Sequence, residues 1–173
     1  QYSSRKFVKS YLPLLIIVVL LVSAFSFEAK QALDSAENQA NRISTPDYHV
    51  PWDAVKSQIS RKTRMIIINS PHNPTGALLS EEDMKELEGI LKNTGIIVLS
   101  DEVYEHIIFD KNSHQSVARF PELAKNSFIV ASFGKTFHNT GWKMGYCAAP
   151  EELMAEFRKV HQFNVFNVNH PIQ

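Results

Sequence analysis

The sequence predicts an α/β fold, in which a mostly parallel sheet is covered by helices on both faces. One observation is a series of short apolar runs, at residues 65–68, 96–99 and 128–131, each of which stops at polar or turn-forming residues. Such runs are typical of strands buried on both faces. The other observation is that apolar residues at helical spacing lie between the runs, as expected where helices connect parallel strands.

Helices are predicted on either side of the first strand. Trp52, Val55 and Ile59 share a helical face before it. After it, Ser80 and Asp83 have the spacing of a capping box, in which each side chain binds the other residue's backbone N–H. The buried stripe of the helix that follows comprises Met84, Leu87 and Leu91.

The last predicted elements are a strand at residues 146–149 and a helix that begins near Glu151. Pro150 closes the strand because it lacks a backbone N–H. Cys147 is predicted to fill space on that strand, and as the single cysteine of the chain it cannot form an internal disulfide. The helix places three apolar residues on its inward face, Leu153, Phe157 and Val160.

Residues 1–44 differ from residues 45–173 and are predicted to form a separate region. Basic residues precede an uncharged stretch at residues 10–27. As a helix this stretch would be roughly 27 Å long, at the lower limit for crossing a bilayer. It has two interpretations, a membrane or signal segment and a buried element of the same domain. Residues 28–43 have the spacing of a weak amphipathic helix.

Composition narrows the partners and the compartment. The 18 basic and 18 acidic residues leave a formal net charge of zero, whereas nucleic-acid-binding proteins usually carry a clustered basic face. No nucleic-acid partner is expected. A cysteine without a disulfide partner favours a reducing, cytoplasmic location, and the alternative is membrane association through residues 10–27.

Polar residues follow each of the three buried strands. Asn73 lies in a proline-flanked turn after the first strand, Asp101 comes directly after the second, and Ser132 follows the third. Ligands of parallel sheets bind beyond the carboxyl ends of the strands, so these side chains are expected to share one site. Taken singly, an asparagine in such a turn is common turn chemistry.

The chemistry of this set suits pyridoxal phosphate (PLP). A partly buried Asp101 would require a cation such as a protonated pyridine nitrogen, and a helix cap or a structural salt bridge is the alternative. The Asn73 amide and the Tyr104 hydroxyl suit the phenolic oxygen of the ring. Simple packing is the alternative for Tyr104.

Lys135 is the candidate amine for the aldehyde. An amine attacks a carbonyl only in its neutral form, so we expect Lys135 to lie in a desolvated site rich in cations. Ser132 and Lys143 suit the phosphate, Lys143 as a point charge. A solvated loop lysine is the alternative for Lys135, and His72 and His138 are interpreted as turn and surface residues.

A nucleotide-binding P-loop is excluded at the same segment. Gly134, Lys135 and Thr136 resemble the end of that motif, which requires a glycine five residues before Gly134. Ile129 stands at that position, and the acidic strand precedes the lysine loop, the reverse of the usual order.

Three segments, at residues 69–76, 100–106 and 132–146, resemble the fold-type I, class I/II PLP-dependent aminotransferases. The resemblance covers residues 45–173 and is greatest for the methionine, glutamine, kynurenine or aromatic branch, which Lys143 favours where many relatives have arginine. It implies part of the large PLP-binding domain, incomplete at both ends. The family's upstream phosphate-binding loop and its C-terminal arginine for the substrate carboxylate are not found in this sequence.

The resemblance also implies residue roles and a reaction. Lys135 would form the Schiff base with PLP and move the substrate α-proton. The other cofactor contacts would be Asp101 at the pyridine nitrogen, Asn73 and Tyr104 at the phenolic oxygen, and Ser132 and Lys143 at the phosphate. The expected function is transamination between an amino acid and a 2-oxo acid by a homodimer. The alternatives are a PLP-dependent carbon–sulfur β-lyase and a non-catalytic, membrane-tethered fragment.

Overall fold

The computed structural model describes residues 48–168 and residue 170. Of these, residues 48–150 belong to one compact unit, and the residues from Glu151 onward belong to another. The sheet and all the predicted site residues lie in the first unit.

The sheet in the described part of the chain has four strands, in the order β1-β2-β3-β4. Strands β1 (Met65–Asn69), β2 (Ile97–Asp101) and β3 (Ser127–Ser132) run parallel, and β4 (Gly145–Ala148) runs antiparallel to β3. The predicted mostly parallel α/β sheet is confirmed. Strand β4 is the exception because residues 133–144 fold into single helical turns rather than the crossover helix that a parallel connection needs.

The helices of the first unit are short, and one of them organises the core. They are α1 (Trp52–Gln58), α2 (Glu81–Leu91), α3 (Pro121–Ala124) and α4 (Phe133–Thr136), with 3₁₀ turns at Val117–Arg119 and Thr140–Trp142. The predicted capping box begins α2, since the Ser80 hydroxyl accepts from Asp83 N at 3.1 Å and the Asp83 carboxylate accepts from Ser80 N at 2.8 Å. The Trp52 indole N–H donates to the same carboxylate at 2.7 Å and so ties α1 to α2.

The predicted stripe of α2 packs against one face of the sheet. Its three apolar residues are buried in a cluster that includes Val98 of β2 and Val117 of the first 3₁₀ turn. Burying each such side chain contributes roughly 1.5–3 kcal/mol to the free energy of unfolding. Hydrophobic packing of this stripe therefore holds α2 against the sheet. Ile97 and Leu99, which alternate to the opposite face of β2, are buried as well, which matches the prediction of a strand buried on both faces.

Strand β4 lies very close to β3. A Cβ atom on Gly145 would stand 2.5 Å from the carbonyl oxygen of Ala131, a separation that side chains do not tolerate. Cys147, two residues along, is half-buried, and burial raises the pKa of its thiol to about 12. A thiol held protonated is unreactive, which fits the predicted packing role.

The second unit contains helix α5 (Glu151–Asn164), which begins at the predicted residue. Leu153 and Phe157 are buried and Val160 is half-buried, in line with the predicted inward face. Among the described helices, none combines the length and the apolar character needed to cross a membrane. The segments at residues 10–27 and 28–43, for which a membrane or amphipathic helix was predicted, lie outside the described residues.

Candidate active site

The carboxyl ends of β1, β2 and β3 bring three polar side chains to one edge and one face of the sheet. Asn69 at the end of β1 pairs with Asp101 at the end of β2, and Asp101 pairs with Val130. Ser132 is two residues beyond Val130, so its side chain points to the same face. The register thus places Asp101 and Ser132 on one face at one end of the sheet, with Asn69 next to Asp101. Asn73, the third residue predicted to share this site, lies in the turn that follows β1.

The turn after β1 directs Asn73 toward Tyr104. The backbone N–H of His72 donates to Ala77 at 2.8 Å and that of Gly76 donates back to His72 at 2.7 Å, which closes a tight loop. Gly76 has φ of 76°, a conformation that favours glycine. The Asn73 amide donates to the Tyr104 hydroxyl at 3.4 Å, so the two groups predicted to share one oxygen meet in the structure.

His72 takes part in the turn, as predicted. Its Nδ1 lies 2.8 Å from the Thr75 hydroxyl, and burial lowers the pKa of its ring. His138, predicted to be a surface residue, is exposed. Among the described residues, the hydrogen bond of the His72 side chain goes to Thr75 and not to a predicted cofactor ligand.

Asp101 is a half-buried carboxylate without a cationic partner among the described residues. Its single recorded side-chain hydrogen bond is from the Val103 backbone N–H, at 3.2 Å. Burial raises the pKa of Asp101, the bond from Val103 opposes that rise, and the charge of Glu102 adds to it. A carboxylate in this position is stabilised in its ionised form by a cation placed against it.

Lys135 lies on α4, directly after β3, and reaches toward the same group of residues. Its Nζ atom stands 5.7 Å from the centre of the Tyr104 ring, within the range of a cation–π contact. The side chain is exposed, whereas a desolvated position was predicted. The single turn of α4 begins directly after the last residue of β3, so Lys135 lies beyond the end of the sheet.

The pairing of β3 and β4 links Ser132 to Met144, the neighbour of Lys143 in the chain. The carbonyl of Met144 accepts from the Phe133 backbone N–H at 3.2 Å and from the Ser132 hydroxyl at 3.4 Å. Lys143, the residue before Met144, is exposed and in the left-handed conformation, with φ of 55°. Residues other than glycine adopt that conformation uncommonly, and at a cost that is often found at functional sites.

The Ser132 hydroxyl also has a structural role that was not predicted from the sequence. It accepts from the Gly134 backbone N–H at 3.0 Å and so caps the turn that carries Lys135. Gly134 itself has no room for a side chain, because a Cβ atom would lie 2.9 Å from the Cα of Thr140. The cap and this close approach together fix the backbone position from which the Lys135 side chain extends.

Behind Asp101 lies a buried polar cluster that sequence reasoning missed. Glu102 is 2% exposed and points to the opposite face of the sheet. Its carboxylate accepts from the Ser100 hydroxyl at 2.8 Å and from the Val117 backbone N–H at 3.2 Å, and it lies 2.7 Å from His114 Nε2. Alternation along β2 could have indicated that Glu102 faces away from Asp101, but no local signal pairs it with a histidine twelve residues on.

Comparisons with known proteins agree with this geometry. The family described as aminotransferase class I and II matches residues 33–173, a range that begins ahead of residue 45. A methionine aminotransferase from Escherichia coli (strain K12) is 44% identical over 131 residues, which are 76% of this chain and 34% of that protein. A kynurenine–oxoglutarate transaminase from Dictyostelium discoideum is 33% identical over 140 residues, 80% of this chain and 32% of that protein.

A solved structure shows the same relationship in three dimensions. The crystal structure of an Escherichia coli methionine aminotransferase matches with a TM-score of 0.73 at 44% identity, over 75% of this chain and 34% of that one. The fold is that of the fold-type I aminotransferases. The chain belongs to the class I and II aminotransferase family, whose members generally depend on PLP. It spans about a third of the length of these relatives.

Proposed function

We propose that this protein is a PLP-dependent aminotransferase, which transfers an amino group between an amino acid and a 2-oxo acid. The observation that carries the proposal is the convergence of Asn73, Tyr104 and Lys135 beside Asp101. The first two are 3.4 Å apart, and the amine of the third lies over the Tyr104 ring. A carboxylate lacking a cation, two donors and a primary amine together match the functional groups of PLP.

Bound PLP would supply an aldehyde that takes up an amino group and a ring that withdraws electrons from the adjacent carbon. The residues of this chain would prepare that chemistry. Asp101 would keep the ring nitrogen protonated, because its partly buried carboxylate is stabilised by a cation. Asn73 and Tyr104 would donate hydrogen bonds to the phenolic oxygen and fix its orientation.

Lys135 would act as the nucleophile toward the aldehyde carbon and then as the base that moves the substrate α-proton. Ser132 and Lys143 would bind the phosphate, Lys143 with its charge and Ser132 with its hydroxyl. Both lie at the end of the β3–β4 pair, where the Ser132 hydroxyl donates to the carbonyl of Met144 and Lys143 directly precedes Met144.

The substrate and the assembly follow from the relatives. The names of the two proteins compared above indicate methionine and kynurenine as amino donors, so we propose a substrate of the methionine, glutamine, kynurenine or aromatic type. Members of the family usually act as dimers, and a homodimer is part of the proposal. A cytoplasmic location accords with the lone, half-buried thiol of Cys147.

The test is to purify the chain, add PLP and record the visible absorption of the protein. We expect a new band that Lys135→Ala abolishes. Borohydride should bleach this band and leave the reduced cofactor attached to Lys135, as located by peptide mass mapping. The exposed Lys62 provides the matched control, and Lys62→Ala should leave the band unchanged. A band that persists in Lys135→Ala, or a label on another lysine, would refute the assignment of the amine.

Activity is measured separately from cofactor binding. Methionine and a 2-oxo acid are added to the loaded chain, and formation of the second amino acid is followed. A chain that binds PLP through Lys135 and yet forms no product would retain the proposed cofactor site while contradicting the proposed activity of this chain.

A further inference from the structure

We infer that Asn69 is a positioning residue that locks the Asn73 turn to the strand end carrying Asp101. The inference rests on the proposed function, because it concerns the alignment of two groups that would hold opposite parts of PLP. The sequence analysis assigned no role to Asn69. In the structure it is half-buried at the last position of β1, in register with Asp101.

The Asn69 side chain makes one hydrogen bond in each direction. Its Oδ1 atom accepts from the Asn73 backbone N–H at 2.8 Å. Its Nδ2 atom donates to the Asp101 carbonyl at 3.2 Å. A single planar group therefore joins the turn and the neighbouring strand, and each residue it joins carries one of the proposed cofactor ligands.

An amide fits this position for a chemical reason. The two contacts require an acceptor for the Asn73 N–H and a donor for the Asp101 carbonyl on the same side chain. A primary amide supplies both from one rigid group. Aspartate would keep the acceptor for Asn73 but would place an oxygen against the Asp101 carbonyl. Alanine would supply neither contact, and a hydroxyl side chain is too short to span the two.

The link matters because the other hydrogen bonds of the turn do not join the main chain of Asn73 to Asp101. Those that close the turn lie between His72, Gly76 and Ala77. The Asn73 side-chain amide reaches Tyr104, three residues beyond Asp101, at 3.4 Å. The main-chain bond from Ser70 to the Asp101 carbonyl, at 3.2 Å, holds the strands but not the turn. The Asn69 side chain thus supplies the direct hydrogen-bonded link from the main chain of Asn73 to that of Asp101.

The experiment compares Asn69→Ala and Asn69→Asp with Asn112→Asp in the full chain. Asn112 is a matched control, because its exposed amide donates to one backbone carbonyl, that of Phe109, away from the site. The first readout is hydrogen exchange at the Asn73 amide without PLP. We expect exchange to rise about tenfold in Asn69→Ala and to stay protected in Asn69→Asp, which keeps the acceptor.

The second readout is the PLP titration. We expect affinity to fall about three- to tenfold in both Asn69 variants and to remain unchanged in Asn112→Asp. The pH midpoint of the absorption change of bound PLP should also rise in Asn69→Ala, because a misaligned Asn73 amide stabilises the ionised phenolic oxygen less well. Thermal unfolding of each variant separates these local effects from a general loss of stability.

The outcomes distinguish the inference from the proposed function. Unchanged exchange at Asn73 in Asn69→Ala, or PLP affinities within twofold of the original chain in both variants, would overturn the role of Asn69. If the original chain binds no PLP, the proposed function fails, and the exchange measurement still decides whether Asn69 anchors the turn. If Asn69→Ala does not fold, Asn69→Asp carries the affinity comparison, in which an unchanged affinity counts against the inference.

Discussion

Asp101 and Glu102 are neighbouring carboxylates that the fold treats in opposite ways. Asp101 faces the edge where the candidate site lies, with one recorded side-chain hydrogen bond, and burial is the main cause that raises its pKa. Glu102 faces the core, and although burial alone would raise its pKa, hydrogen bonds from His114 and Ser100 lower it overall. The Glu102 carboxylate accepts hydrogen bonds from several groups of the protein, whereas the Asp101 carboxylate retains the capacity to bind a cationic ligand.

The difference teaches how a structural carboxylate can be told from a ligand-binding one. A buried carboxylate that accepts several hydrogen bonds stabilises the fold, because each donor offsets part of its lost hydration. A carboxylate with fewer donors than it can use is costly by itself and gains from a bound cation. Glu102 is the more deeply buried of the two and yet has its pKa lowered, so the hydrogen-bond donors rather than the depth of burial separate the two cases.

The largest expected effect comes from removing the satisfied member of the pair. Glu102→Ala leaves the Val117 N–H and the His114 ring without their buried acceptor and should lower the free energy of unfolding by about 3–5 kcal/mol. Urea denaturation measures it. Asp101→Asn, at the adjacent position, should stay within about 0.5 kcal/mol of the original chain. Equal losses of unfolding free energy in both variants would mean that the two carboxylates contribute equally to stability.

The second effect concerns the affinity for PLP, for which Asp101 rather than Glu102 is expected to matter more. Asp101→Asn should weaken PLP binding about thirtyfold, because an amide cannot pair with a protonated ring nitrogen as a carboxylate does. Asp110→Asn, a change of the same type at an exposed position, is the control and should bind PLP normally. Absorption titration gives both affinities. An unaltered affinity in Asp101→Asn would remove the basis for the contrast.

The smallest expected effect is a difference in the sign of pH dependence. The pKa of Glu102 is lowered from 4.5, so the stability that Glu102→Gln removes is present above pH 4.5 and is lost as the pH falls through the lower folded value. The pKa of Asp101 is raised from 3.8, so its ionisation costs stability as the pH rises past that value, and Asp101→Asn removes this cost. Unfolding curves between pH 3 and pH 7, roughly the range over which carboxylates titrate, would show opposite trends for the two variants. Parallel trends would contradict the assignment.

Much of the fold could be predicted because its signals are local. Apolar runs bounded by turns located β1, β2 and β3, and the Ser80–Asp83 spacing located the start of α2. The antiparallel direction of β4 was not predicted, since it depends on how residues 133–144 compact into turns. The grouping of site residues could be anticipated because carboxyl ends of parallel strands share an edge.

The missed features all depend on contacts distant in the sequence or on unusual backbone. The pairing of Glu102 with His114 requires the loop after β2 to return across the sheet, which no residue pattern encodes. The left-handed conformation of Lys143 has no glycine or asparagine to announce it. The exposed position of Lys135 reflects where the chain lies around it, which a motif does not specify.

The close approach at Gly145 has a consequence for the phosphate end of the site. The reach from the Ser132 hydroxyl to Lys143 is set by how near β4 comes to β3, and that nearness is possible because Gly145 has no side chain. The distance between the two proposed phosphate ligands thus depends on the absence of a side chain at Gly145, a residue that would contact no ligand itself. A methyl group added at residue 145 would act as a spacer between the strands, widening the gap between the hydroxyl and the charge without altering either group.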